Sequence, residues 1–148
     1  MSIERTLVIM KPDAIKKRIT GIVLDRIEHY GFELVAAKVT KVSKKLAEEH
    51  YRDIKKHPAY EDTIKFMMGE FHDQNKVYVF VFEGENVINK VREVLGATNP
   101  HFTKPWTIRG AFGQIKKDHL ENVAHASSSV KEAKREIALW FKKEDFIK

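Results

Sequence analysis

The sequence predicts an α+β fold, a four-stranded antiparallel sheet with surrounding helices on a split β-α-β-β-α-β plan. Three observations carry the prediction. Short apolar runs recur at 4–11, 32–42, 77–82 and 122–126. Stretches with helical spacing of apolar residues lie between and after them. The chain has 148 residues, no cysteine, few glycines and prolines, and 43% hydrophobic residues. That is enough to bury a core as one domain, residues 1–148, without disulfides or a thiolate metal site.

The first strand is ERTLVIMK, 4–11, stopped by Pro12 with Lys11 at its end. In TGIVLDRIEHY, 20–30, Val23, Ile27 and Tyr30 share one helical face, and Gly31 supplies an end signal. FELVAAKVTKV, 32–42, reads as a second strand. Ser43 can cap the helix SKKLAEEHYRDIKK, 43–56. A short helix follows Pro58 at about 59–68, and GEFHDQN, 69–75, is turn-like. VYVFVF, 77–82, is the clearest strand. Asn86 can cap NVINKVREVLG, with Val87, Val91 and Val94 or Leu95 inward. Residues 96–121 are irregular, with Phe102, Trp106, Ile108 and Phe112 as buried-looking anchors. A loop of that length in a compact domain is usually functional. NVAHA, 122–126, can form the last strand. Ser129 and Glu132 are spaced as a capping box opening a helix over 130–141. Without the 59–68 helix, this is the ferredoxin-like order, with the helices expected on one face of the sheet. That fold hosts many functions and by itself selects none.

Several classes are excluded or weakened. The N-terminus has no secretory apolar core, and the run at 77–82 is too short to span a bilayer. The chain therefore reads as cytoplasmic. The formal net charge of +6 suits anionic partners: nucleic acid, acidic lipid or nucleotide phosphate. RGAFGQI, 109–115, echoes an RNA-recognition signature, but its aromatics are out of step for stacking bases on a strand. His119 and His125 are not spaced as a metal-ligand pair, and no protein-held metal is expected.

There is no Walker loop and no GxGxxG, so phosphates must be held by side chains. The candidates are Lys11, Arg92 and Arg109; most lysines and arginines are simply solvated surface. Lys11 stands out because the strand end before Pro12 fixes its position. His125 lies between two alanines and runs into three serines. A histidine on a strand is more often a packed core residue than a nucleophile. Here Ser127, two residues on, shares its side of the strand. Glu136 falls on or beside the apolar face of the last helix, where a carboxylate needs a partner. An imidazole held by a carboxylate at one nitrogen presents the other as base or nucleophile. The flanking alanines leave room for a large reactant to approach.

Together these stretches resemble the nucleoside diphosphate kinase family along nearly the whole chain. The matching pieces are ERTLVIMKPDA, HYRDIKKHP, VREVLGATNP, TIRGAFG, NVAHAS and REIALWF, in that order. The resemblance implies ping-pong transfer of the terminal phosphoryl group from a nucleoside triphosphate, mainly ATP, to a nucleoside diphosphate. It implies His125 as the nucleophile that becomes phosphohistidine, with Glu136 and Ser127 orienting it and Tyr51 beside it. It assigns phosphate binding to Lys11, Arg92, Thr98 and Arg109, and sugar contact to Asn122. It implies Mg²⁺ bridging the phosphates, and a homo-oligomer, hexamer or tetramer. The chain departs from the family pattern at Ser128, where aspartate is common, at Ala59, where an aromatic stacks the base, and at Trp106, usually glycine. The segments from Gly113 to Glu121 and around His72 are longer than usual. With the basic charge, these departures leave a second class open: a nucleotide- or nucleic-acid-binding member with weak catalysis.

Overall fold

A computed structural model describes residues 2–147. Its main sheet has the order β2-β3-β1-β6, all neighbours antiparallel. The strands are β1 (Ile3–Met10), β2 (Glu33–Lys41), β3 (Lys76–Glu85) and β6 (Ala124–Ala126). β1 pairs β3 on one side and β6 on the other, so it is covered on every side. That is why its C-terminal half reads as an uninterrupted apolar run rather than an alternating one. Alternation still sorts its side chains. Val8 and Met10 enter one core with Val23, Ile27, Val91 and Leu95. Leu7 and Ile9 enter the other with Ala47, Ile64, Met67 and Trp140.

The two cores correct the expectation of helices on one face. α2 (Thr20–Glu28) and α5 (Val87–Leu95) cover one face. α3 (Lys44–His50), α4 (Tyr60–Met67) and the end of α7 (Val130–Trp140) cover the other. β1 and β3 therefore have an apolar layer on both sides, whereas β2 joins only the second core.

Local departures from the sequence reading have simple causes. Pro12 ends β1 but also opens α1 (Pro12–Lys16), where a missing N–H costs nothing at the first helical position. Lys11 is the residue at that junction rather than the last of the strand. Tyr30 lies past the end of α2 and is 49% exposed, while Val23 and Ile27 are fully buried. Ser43 caps α3 by accepting from Leu46 N, at about 1 kcal/mol, but the helix ends at His50 and passes into a 3₁₀ turn. β3 extends well beyond 77–82 at both ends. Asn86 precedes α5 in a left-handed conformation, and its side chain accepts from Asn89 instead of capping. Ser129 does cap α7, accepting from Glu132 N, but the Glu132 carboxylate pairs with Arg135 rather than closing the box.

The irregular stretch contains α6 (Ile108–Phe112) and a small hairpin, β4 (Gln114–Ile115) with β5 (Leu120–Glu121). Ile108 is buried there as expected, and Phe112 packs against the core. Phe102 and Trp106 do not: they are 78% and 70% exposed. Their hydrophobicity faces outward, so it does not anchor the loop.

Candidate active site

β6 is only three residues long and touches the sheet through β1 alone, with Ile9 opposite His125. Neighbours on a strand point to opposite faces. Ala124 and Ala126 therefore enter the α2–α5 core, and His125 faces the α7 side. The alanines do not keep an approach open, contrary to the sequence reading; their size fits the core behind the histidine. The strand is entered through Val123, fully buried with φ of 72°. A β-branched residue in that region costs about 1–3 kcal/mol and persists only where its surroundings hold it. Here Asp13 Oδ2 accepts from Val123 N at 3.0 Å, and Lys11 N donates to Val123 O at 3.0 Å.

Glu136 projects from α7 onto this strand. Its Oε1 accepts from His125 Nε2 at 3.0 Å and from Ser127 Oγ at 2.7 Å. Leu7 N donates to Ser127 Oγ at 3.0 Å, so the serine is fixed on both sides. A carboxylate at Nε2 places the proton there and leaves the Nδ1 lone pair without a partner among the described residues. The His125 side chain remains 19% exposed, enough for a reactant to touch it. Burial, then the charges of Lys11, Arg109, Arg92 and Arg135, hold its pKa well below the usual histidine range. The imidazole is therefore neutral at physiological pH, the form with a free nucleophilic nitrogen.

His50 belongs to the site and had no assigned role in the sequence reading. Its ring meets that of His125 edge-on at 4.5 Å, and its Nδ1 accepts from Trp140 Nε1 at 3.0 Å. Burial, then the neighbouring His125, push its pKa well down. The available signal was helical spacing: Ala47 and His50, three apart on α3, are the two buried residues of that helix. His50, His125 and Glu136 bring three metal-ligand atoms within 4.8 Å. Two of those residues are already engaged by Trp140 and Ser127, so the group is better suited to hold an imidazole than an ion.

The cations arrive from three elements. Lys11 is buried, and its Nζ donates to Asn122 Oδ1 at 2.7 Å. Burial, then Arg109, lower its pKa to about 7. Arg109 sits on α6, whose first turn is capped by Thr107 Oγ1 accepting from Gly110 N. Its guanidinium donates to the carbonyls of Asn122, Gly96 and Ala124 at 3.0, 2.9 and 2.6 Å. Three of its five N–H groups thus fix the loop before His125, and two remain for a ligand. Burial, then Arg92, lower its pKa to about 10. Gly96, with φ of 90°, abuts Thr103 and Thr107, where a Cβ has no room. Arg92, on α5, is exposed, and its charge is felt at both Arg109 and His125.

A cleft of about 470 Å³ adjoins this cluster. Lys11, Tyr51, Ala59, Thr98 and Asn122 all line it. Asn122 Nδ2 donates to Thr98 O at 3.1 Å, tying its floor together. The Tyr51 hydroxyl is buried without a partner among the described residues, and burial, then Glu136, raise its pKa. Ala59 is exposed, whereas Tyr60 turns into the core and cannot supply the aromatic missing at Ala59. A wider groove of about 740 Å³, lined by Ile3, Ile137 and Phe146, holds none of these groups. The chemistry selects the smaller cleft. Of the ten residues named from the sequence, five line it, three form the His125–Ser127–Glu136 cluster, and Arg109 joins the two. Arg92 borders a neighbouring pocket with Gly96 and Thr107.

The arrangement combines a neutral, carboxylate-held imidazole with uncompensated cations beside an open cleft. That is suited to accepting a phosphoryl group from a polyphosphate. Residues 4–146 match the family model described as nucleoside diphosphate kinase. A nucleoside diphosphate kinase of Methanocaldococcus jannaschii is 42% identical over 97% of this chain and 97% of its own length. One from Synechocystis is 38% identical over 96% of this chain and 90% of its own. Among solved structures, a transition-state mimic of the Borrelia burgdorferi enzyme with bound vanadate and ADP has a TM-score of 0.87 and 36% identity. That match covers 99% of this chain and 91% of the other.

Proposed function

The chain belongs to the nucleoside diphosphate kinase family, and on that premise we propose that His125 Nδ1 carries the phosphoryl group between two nucleotides. The enzyme is a phosphotransferase acting on nucleoside triphosphates and diphosphates. The observation that carries the assignment of His125 is its bond from Nε2 to Glu136, which leaves Nδ1 neutral and unengaged beside Lys11 and Arg109.

In the first half-reaction, Nδ1 attacks the terminal phosphorus and the nucleoside diphosphate leaves. As the N–P bond forms, the ring takes on imidazolium character, which the Glu136 carboxylate stabilises through Nε2–H. Ser127 donates to the same carboxylate oxygen, Oε1, and holds it in place. Lys11, the two spare N–H groups of Arg109, and Arg92 neutralise phosphate charge. The Tyr51 hydroxyl and Thr98 line the path, and Asn122 meets the sugar. The second half-reaction reverses these steps toward a different diphosphate. Ala59 and Pro58 form the wall where the base rests, with no ring to stack it.

Enzymes of this family need a divalent metal, and we assign Mg²⁺. The donor chemistry fits an ion that arrives on the nucleotide rather than in a protein cage. Near His125 the side chains are cationic, and Asp13 and Glu136 already accept from Val123 N, His125 and Ser127. Asp62 and Asp118, carboxylates of the cleft wall, would hold its waters. When bound, Mg²⁺ would offset the charge of the phosphates.

Residues 1–148 are taken as one domain in a homo-oligomer, a hexamer or tetramer. The outward-facing Phe102, Trp106, Val39 and Ile115 support self-association, since a lone chain leaves them in water. No helix among the described residues is long and apolar enough to cross a membrane. A cytoplasmic location is part of the same reading. Intact mass after brief exposure to ATP and Mg²⁺, then GDP, tests it. One added phosphoryl group, lost to GDP as GTP forms, is expected for wild type and absent in His125→Ala. Turnover by His125→Ala rules out the nucleophile. No transfer by wild type, with salt-sensitive binding to single-stranded nucleic acid, favours the binding-module reading instead.

A further inference from the structure

We propose that His72, His119 and Glu121 form a second, separate metal site, selective for a divalent transition ion of the zinc class. The residues come from the turn before β3 and from the β4–β5 hairpin, the two segments that the sequence shows as longer than the family pattern. His72 lies 49 residues before Glu121, which is why spacing alone revealed no ligand set. In the fold both Nε2 atoms converge on one carboxylate oxygen. His72 Nε2 lies 2.8 Å and His119 Nε2 3.0 Å from Glu121 Oε2, and all three ligand atoms fall within 4.8 Å.

The site is built rather than incidental. All three side chains are close to fully buried, and the two histidines keep a small opening. Phe71 stacks on the His119 ring at 4.4 Å, and Phe66 packs against both imidazoles. These contacts fix ring orientation before any ligand arrives, which is what a tight site requires. Lys17 Nζ takes Glu121 Oε1 at 3.1 Å and also donates to Phe112 O, leaving Oε2 as a single-oxygen ligand. Among the described residues neither histidine Nδ1 has a hydrogen-bond partner. The Glu121 carboxylate places the protons at Nε2 in the absence of a ligand, and a cation binding there would displace them onto the open Nδ1 atoms.

The ligand set decides the class of ion. Two imidazole nitrogens and one carboxylate oxygen suit zinc, cobalt or nickel, and disfavour magnesium and calcium, which take oxygen. Around tetrahedral zinc, with bonds of about 2.0–2.1 Å, ligand atoms stand roughly 3.3 Å apart. The two histidine–carboxylate spacings, 2.8 and 3.0 Å, need to open by only a few tenths of an ångström. Water takes the fourth position. An ion here pins the hairpin to the turn before β3, and His119 and Phe66 are part of the cleft wall. The site thereby stiffens the cleft from outside the reacting groups.

The test uses the full chain stripped with EDTA, titrated calorimetrically with Zn²⁺ and followed by thermal melting with and without the ion. One Zn²⁺ per chain is expected, with a melting point several degrees higher. Binding should fall at least 100-fold in His72→Gln and in His119→Gln, and stay unchanged in His29→Gln, a surface control. Cobalt-loaded wild type should show the visible absorption of a four-coordinate site, a readout that does not depend on the variants folding. No zinc bound by folded wild type, a six-coordinate cobalt spectrum, or undiminished binding in both variants each overturns the site. None of these outcomes depends on phosphoryl transfer, so failure here leaves the assignment of His125 standing.

Discussion

Replacing Glu136 with glutamine isolates the part of catalysis that depends on charge. The amide has nearly the same shape and keeps an acceptor for His125 Nε2–H and Ser127 Oγ–H, which lie at 3.0 and 2.7 Å from Oε1. What disappears is the negative charge opposite a ring that becomes cationic as Nδ1 bonds phosphorus. A hydrogen bond to a charged group contributes about 1.5–3 kcal/mol. Lost in the transition state alone, that slows enzyme phosphorylation roughly 10- to 150-fold. His125 stays neutral in the variant, because burial and the surrounding cations already keep its pKa well below the usual range. The loss is therefore one of rate, not of protonation. The assay is single-turnover phosphorylation by ATP with Mg²⁺, alongside a melting curve. We expect kcat to fall with KM nearly constant and the melting point to move by only a few degrees. A kcat loss below threefold, or a rise in KM with kcat intact, refutes the charge argument and reduces Glu136 to packing.

Lys11→Met should abolish transfer yet stabilise the fold. Burial holds the Lys11 pKa at about 7, below its ordinary 10.5. Between those values the unfolded chain binds the extra proton, so wild-type stability should rise with pH across that window, by at most ~1.4 kcal/mol per unit. Urea titrations at pH 7 and 10 check this; an identical pH slope in Lys11→Met contradicts it. The same deprotonation should lower kcat/KM of wild type above about pH 7, measured at fixed free Mg²⁺. His50→Phe leaves the Trp140 indole N–H unpaired in the core and should cost about 1–3 kcal/mol in chemical denaturation. Phe102→Ser with Trp106→Gly should shift the mass seen by light scattering toward the single chain, and an unchanged mass separates these side chains from assembly.

Much of the fold was legible because its signals are local. β1 and α5 could be placed from apolar runs and spacing, and Ser43 and Ser129 from their cap chemistry. The misreadings share a cause: a local signal with two meanings. Pro12 stops a strand and starts a helix equally well. Phe102 and Trp106 are apolar, but apolarity does not say whether the covering surface is this chain or another. In the site, His125, Ser127 and Glu136 could be linked by strand alternation and helix phase. That Arg109 spends three donors on backbone carbonyls follows only from contacts distant in sequence, whereas the turn of Ala124 and Ala126 away from the His125 side was implicit in the same strand alternation. Ala59 was legible as a missing ring; that Tyr60 cannot replace it was not, because adjacent residues at a helix start divide between cleft and core.

One feature contributes to both requirements of the chemistry. Lys11, Arg109 and Arg92 are gathered near His125 with few carboxylates free to answer them, since Asp13 accepts from Val123 N and Glu136 is held by Ser127 and His125. Burial first, and this surplus second, depress the pKa values of Lys11, Arg109 and His125 together. A depressed pKa at His125 yields a neutral nucleophile; the same positive potential draws in a polyphosphate. Mutual repulsion destabilises the empty site, and bound phosphate relieves it. Val123, strained at φ of 72° immediately before β6, keeps the histidine facing those cations instead of relaxing away from them. Asp13→Ala removes the acceptor that fixes Val123 N and tests this coupling. If strain and charge are linked as argued, the variant should lose transfer rate and, in saturating ATP, gain less thermal stability than wild type gains. Equal stabilisation by ATP in the two proteins would mean that the Val123 geometry shapes the core but not the phosphate site.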